Sequence, residues 1–149
     1  MDMIKSRVHR TLKPLEGFKP ADQLPSSIIR YIEQDIKCKD EVFGVYFNVP
    51  DQLTDAIVVT RKGIFVISQG KEEDFFIDYS EINSIEGPRP IAPPDRLEGA
   101  KKGREDTMIK LLLKNGDFRV IHVYRGRIRN RESFAFLRFF RRVIEYLEN

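Results

Sequence analysis

An α+β fold, mainly β, is what this sequence predicts: a seven-stranded antiparallel barrel or sandwich capped by a C-terminal amphipathic helix, with an extra N-terminal helix before the first long strand. Three observations carry that expectation. Short runs of β-branched and aromatic residues at 57–60 and 64–68 flank Arg61-Lys62-Gly63, as paired strands flank a tight turn. Asn115-Gly116 sits between two further runs, 107–113 and 117–124, and this dipeptide between apolar runs is a strong hairpin signal because both residues tolerate positive φ. Residues 133–147 place Phe136, Leu137, Phe140, Ile144 and Leu147 on one helical face and Arg138, Arg141, Arg142 and Glu145 on the other.

Taken in order, residues 1–20 show no clean period and are interrupted by Pro14, Gly17 and Pro20. They read as an arm, ordered only where Leu12, Leu15 or Phe18 finds a groove. Residues 21–149 read as a single domain. Its first helix begins near Pro25, a residue suited to the first helical turn, and carries Ile28, Ile29, Ile32 and Ile36 on one face. It should end before Lys39-Asp40. Residues 41–49 make the first strand, and the 57–68 hairpin follows, with Gly63 expected to supply a positive φ. Residues 75–78 and 82–86 are strands on either side of a corner at Tyr79-Ser80-Glu81, where Asp and Ser bond their own backbone and Tyr79 keeps its hydroxyl wet. Residues 87–106, broken by Gly87-Pro88, Pro90, Pro93-Pro94, Gly99 and Gly103, read as a long loop insertion, either functional or mobile. The 107–124 hairpin, an arginine-studded loop and the closing helix, capped by Asn130 or Ser133, complete the chain.

A chain of 149 residues buries roughly 68–70% of its unfolded surface, enough for one ordinary core. Charged residues make up 33% and apolar ones 41%, a balance that points to a soluble globular protein instead of a disordered one. The single cysteine, Cys38, has no partner for an internal disulfide. With no signal-like apolar run behind the basic residues of the arm, a cytoplasmic location is expected. No run approaches the length of about 18 uninterrupted apolar residues that a membrane-spanning helix needs. Charge is unevenly spread. Residues 21–56 hold three basic and seven acidic side chains, a net of 3 − 7 = −4; residues 107–131 hold seven basic and one acidic, a net of 7 − 1 = +6.

The element order resembles the pleckstrin-homology-like superfold, and within it the bacterial PH-like and GRAM-like domains. The resemblance rests on the Val-Val-Thr-Arg-Lys-Gly-Ile-Phe-Val-Ile hairpin, Ile-Asp-Tyr-Ser-Glu-Ile-Asn-Ser-Ile, the Leu-Leu-Leu-Lys-Asn-Gly hairpin and the Phe-Leu-Arg-Phe-Phe-Arg helix. It covers residues 40–149. The helix before the first strand and the 87–106 insertion are additions to a minimal PH domain. Members that bind phosphoinositides carry a Lys/Arg cluster between the first two strands. Here that loop, residues 48–55, has Asp51 and Asp55 and no base, so it would repel a phosphate. What the resemblance implies is a scaffold for protein, peptide or lipid binding, and the fold alone does not choose among them.

Catalytic chemistry is not signalled. His9 and His122 lie on different elements without acids or thiols at ligand spacing, so no metal site is expected and no cofactor is implied. His122 reads as a partly buried strand residue. Cys38 has no histidine near it in sequence. Neither turn glycine opens a helix as a nucleotide loop would, and no small-molecule substrate is evident. The feature that invites a functional reading is Arg125, Arg127, Arg129 and Arg131, at alternate positions beside Arg119 and Tyr124. Alternation places such guanidinium groups on one side of an extended segment. The comb could be solvated, could pair with the acidic front half of the chain, could bind a protein partner or a second copy, or could neutralise anionic lipid or nucleic acid. Nucleic acid is the weaker of these, because stacking aromatics are not interleaved with the arginines. The expectation is therefore a non-enzymatic PH-like module that binds a protein or self-associates through this basic loop and a sheet edge, with anionic lipid or nucleic acid as the alternative.

Overall fold

Residues 42–47 and 56–60 are apolar almost without alternation, and this marks strands covered on both faces. In the computed structural model, which describes residues 3–68, 74–87, 108–125 and 131–148, those runs are β2 (Val42–Phe47) and β3 (Asp55–Thr60). They sit at the centre of a five-stranded antiparallel sheet ordered β1-β2-β3-β4-β5, with β1 at Phe18–Pro20, β4 at Gly63–Ser68 and β5 at Phe75–Asp78. A second antiparallel sheet of three strands holds β6 (Ile82–Glu86), β7 (Met108–Leu113) and β8 (Phe118–His122). The architecture is thus α+β, mainly sheet, with eight strands among the described residues, and the sheets do not close into a barrel. The strand beyond the seven expected is β1.

Among the described residues three α-helices dress these sheets: α1 (Met3–Arg7), α2 (Ser26–Gln34) and α3 (Arg131–Glu148). Leu24, Ile28 and Ile32, from α2 and the turn before it, pack on Val45, Phe47, Ala56, Val58 and Ile67 of the larger sheet's outer face. The other face joins the main core, where Tyr46, Ile57, Val59, Ile64 and Ile77 meet Ile109, Leu111 and Ile121 of the smaller sheet and Phe136, Phe139, Phe140 and Val143 of α3. Burying each of these large side chains contributes roughly 1.5–3 kcal/mol. Helix α3 therefore stoppers the gap between the sheets. Its buried stripe is broader than the sequence pattern indicated: Phe139 and Val143 are inside, and Leu147 is exposed.

The segment read as an arm is built into the core. Residues 3–20 form α1, a π-helical stretch (Val8–Leu12) and β1, which pairs antiparallel with β2, Phe18 opposite Tyr46. Ile4, Val8, Leu12, Leu15 and Phe18 are all buried. The spacing of four from Ile4 to Val8 to Leu12 is helical, and Leu15 and Phe18 follow in the turn and in β1. Other local differences have similarly plain causes. No positive φ occurs at Gly63; it is needed because a Cβ there would lie 2.1 Å from the Ile77 carbonyl oxygen on the neighbouring strand. The Tyr79 hydroxyl is not wet but buried, donating to the Thr60 carbonyl at 2.8 Å. His122 is exposed. Ser133 lies inside α3, not at its cap, and Asn130 falls outside the described residues. The 87–106 insertion also lies outside them, except for Gly87.

Candidate functional site

Two polar clusters sit where β2, the end of β8 and the start of α3 meet. In the first, Asn48 follows β2 and points its amide at the smaller sheet. Its Nδ2 donates to the His122 carbonyl at 2.8 Å, and its Oδ1 accepts from the Tyr124 N–H at 2.9 Å. A side-chain amide thus stands in for two rungs of a ladder between sheets that share no backbone pairing here. The same Nδ2 donates to Asp55 Oδ1 at 3.0 Å, and the Tyr124 hydroxyl donates to the other oxygen of Asp55. The acidic loop between β2 and β3 is therefore folded against residues 123–125.

The second cluster is deeper. Glu132, in the first turn of α3, is buried. Its Oε1 accepts from the Gly17 N–H at 3.0 Å and from the Tyr46 hydroxyl at 2.9 Å; its Oε2 accepts from the Glu16 N–H at 2.7 Å. Three donors compensate the burial of this carboxylate, and the helix N-terminus adds a favourable dipole. Tyr46 in turn accepts from the Arg125 N–H at 3.1 Å. Burial first, then the neighbouring Glu132 carboxylate, push the Tyr46 phenol well above the ordinary tyrosine value, so it stays a donor. Gly17 fits because a Cβ would lie 2.6 Å from the Tyr46 ring.

One arrangement follows from both clusters. Residues 124–125, on one side of the arginine-rich stretch, are tied by backbone N–H groups to Asn48 and Tyr46; Glu132, on the other side, is tied to the same Tyr46. The residues on either side of positions 126–130 are thus fixed in one buried junction.

Of the six residues singled out from the sequence, the structure gathers Tyr124 and Arg125 at this junction, and Arg131 stands exposed at the start of α3 beside Glu132. Arg125 carries its charge close to Asp51: that carboxyl is held below the usual value by a hydrogen bond from Lys19, with smaller contributions from the charges of Lys19 and Arg125. Arg119 stands apart on β8, with its guanidinium 5.8 Å from the Phe75 ring centre and donating to the Phe118 carbonyl at 2.9 Å. Arg127 and Arg129 fall outside the described residues. Sequence reasoning missed Asn48, Asp55, Tyr46 and Glu132. A glutamate just ahead of an apolar helical run was the one available hint, and it signals a helix start without signalling burial.

Two clefts elsewhere on the surface are lined by described residues. One, about 360 Å³, lies between α2 and the start of β2 and includes Cys38; burial pushes that thiol up, away from the thiolate a nucleophile needs. The other, about 260 Å³, lies between the N-terminal helices and β1–β2, with Lys5, His9 and Lys13 facing Asp22 and Glu41. Among the described residues no three His, Cys, Asp or Glu side chains gather as metal ligands do, and no helix is long and apolar enough to cross a membrane. No protein family, curated protein or solved structure matches this chain.

Proposed function

We propose that the chain is a PH-like binding module without catalytic activity, working in the cytoplasm, and that it engages a protein partner or a second copy of itself through the basic surface around Arg125 and Arg131. A four-strand meander, β2 to β5, a three-strand meander, β6 to β8, and a stoppering helix support the PH-like reading. The single observation that carries the binding reading is the buried Tyr46–Glu132 junction. It fixes both ends of a stretch that holds Arg127 and Arg129 in sequence. Loops held by a rigid scaffold are where binding residues concentrate, and fixed ends lower the ordering cost of association.

The test replaces Arg125, Arg127 and Arg129 together with Ser, changing side chains while leaving the Arg125 backbone donor in place. Self-association in sedimentation and capture of partners from lysate should both fall. If both were unchanged, this surface would be withdrawn. The net charge of +6 over residues 107–131 favours a second reading, binding to an anionic lipid surface or nucleic acid. Against it, Asp51 and Asp55 lie beside residues 124–125. That reading demands an affinity that falls steeply with salt, and a flat salt response in a filter-binding or vesicle assay removes it.

A further inference from the structure

The smaller sheet has two edges, and they are treated differently. Helix α3 lies along the β6 side, where a Cβ on Gly87 would meet Leu137 at 2.7 Å. Among the described residues no strand pairs with the β8 side. Antiparallel pairs alternate between bonded and non-bonded positions. Leu113 and Asp117 are a bonded pair, the Leu113 N–H donating to the Asp117 carbonyl at 2.8 Å. The register pairs Leu111 with Arg119 and Ile109 with Ile121, so these also bond inward to β7. Phe118, Val120 and His122 therefore turn their N–H and C=O groups outward. The outward bonds that occur agree: the His122 carbonyl accepts from Asn48, and the Phe118 carbonyl accepts from the Arg119 guanidinium. Among the described residues nothing else bonds to this edge, and Val120, midway along it, has both backbone groups available.

Two observations describe what would fit. The outer face beside the edge is apolar and aromatic: Phe118 is 53% exposed and covered on one side only by Lys110, whose Nζ is 4.5 Å from the ring centre, and Val120 and Leu112 flank it half-buried. The stretch of sequence is basic, with Lys110, Lys114, Arg119 and Arg125 against Asp117; Asp51 and Asp55 offset the charge only at its far end, beside residues 124–125. Like charge disfavours a second β8 at this edge, because two such strands would bring their basic residues together.

We infer that β8 is a docking edge for an acidic peptide segment that adds to the smaller sheet as a fourth strand, alternating acidic residues, which would meet Arg119, with apolar residues, which would cover Phe118 and Val120. Backbone bonds supply affinity in such strand addition and alternate side chains supply selectivity. The inference rests on the binding-module reading and names the chemistry of its partner. The two fail separately, because the serine substitutions test the arginine stretch and the following experiment tests the β8 backbone.

The probe is a fluorescein-labelled heptapeptide of alternating aspartate and valine, titrated with the full chain and read by anisotropy. It should bind at least about tenfold more tightly than the lysine–valine analogue, the difference that one to two charge-assisted contacts provide. Methylating the peptide amides that face β8 should weaken binding by about tenfold for each hydrogen bond removed. In the protein, Val120→Pro deletes an outward N–H and spares the β7 ladder, as proline is tolerated on edges, and should have the same effect; if that variant fails to fold, the methylated peptides decide alone. Amide exchange at Phe118, Val120 and His122 should slow when the peptide binds. Equal binding of the aspartate and lysine peptides, no binding of either, or full binding of the methylated peptide would overturn the inference.

Discussion

Glu132→Ala should melt on the order of 10 °C below the unchanged protein, because it strands two backbone N–H groups and the Tyr46 hydroxyl in a buried site. Each buried donor left unsatisfied costs about 1–3 kcal/mol, so the loss is roughly 3–5 kcal/mol once some relaxation and water entry are allowed. For a chain near 150 residues each kcal/mol moves the midpoint by about 2–4 °C. Glu132→Gln is the sharper variant. Its amide keeps the shape and keeps one acceptor oxygen, which can still serve Gly17 and Tyr46, but it turns an N–H toward the Glu16 N–H. A loss of about 1–3 kcal/mol is expected, smaller than for alanine. Thermal melts of both variants check the order. A melt for Glu132→Ala within a degree or two of the parent would mean that the carboxylate does not hold these segments together.

Phe136→Ala should be as damaging by a different route. The ring is fully buried, meets the Tyr46 ring edge-on at 5.2 Å and 86°, and lies 6.1 Å from the Phe140 ring. Removing a buried phenylalanine costs about 3–5 kcal/mol in lost transfer energy and residual cavity. Phe134, on the same helix but 43% exposed, is the control, and its alanine variant should change stability by no more than about 0.5 kcal/mol. Denaturant midpoints at constant m-value separate the two. Equal effects at Phe134 and Phe136 would contradict the stoppering role of α3.

Much of the fold was legible because its signals are local. The unbroken apolar runs of β2 and β3 reflect two covered faces, whereas β7 reads Met-Ile-Lys-Leu-Leu-Leu with every second residue buried, since one of its faces is open. The Asn115-Gly116 turn, and the Asp78–Glu81 capping box that makes the corner, are set by residues within a few positions of each other. What escaped is long-range. Glu132 bonds residues 115 and 116 positions away, and Asn48 bridges 74; no periodicity encodes such pairings. The segment before β1 was hidden differently. Its apolar residues recur at helical spacing, but Pro14, Gly17 and Pro20 punctuate it as they would a tail. Of the candidate site, the basic comb was visible in the sequence and the junction that fixes its ends was not.

Binding through the arginine-rich stretch requires that junction to hold both flanks of residues 126–130 as firmly as the core. Native-state amide exchange reads this directly at Glu16, Gly17 and Arg125, whose N–H groups donate to Glu132 and Tyr46. Groups that open only with the whole fold share its exchange free energy, so these three should exchange within about tenfold of Ile57 and Val58 at the centre of β3. Exchange faster than those by a factor on the order of 1,000, about 4 kcal/mol of independent opening, would show that the flanks come loose on their own and would contradict the account.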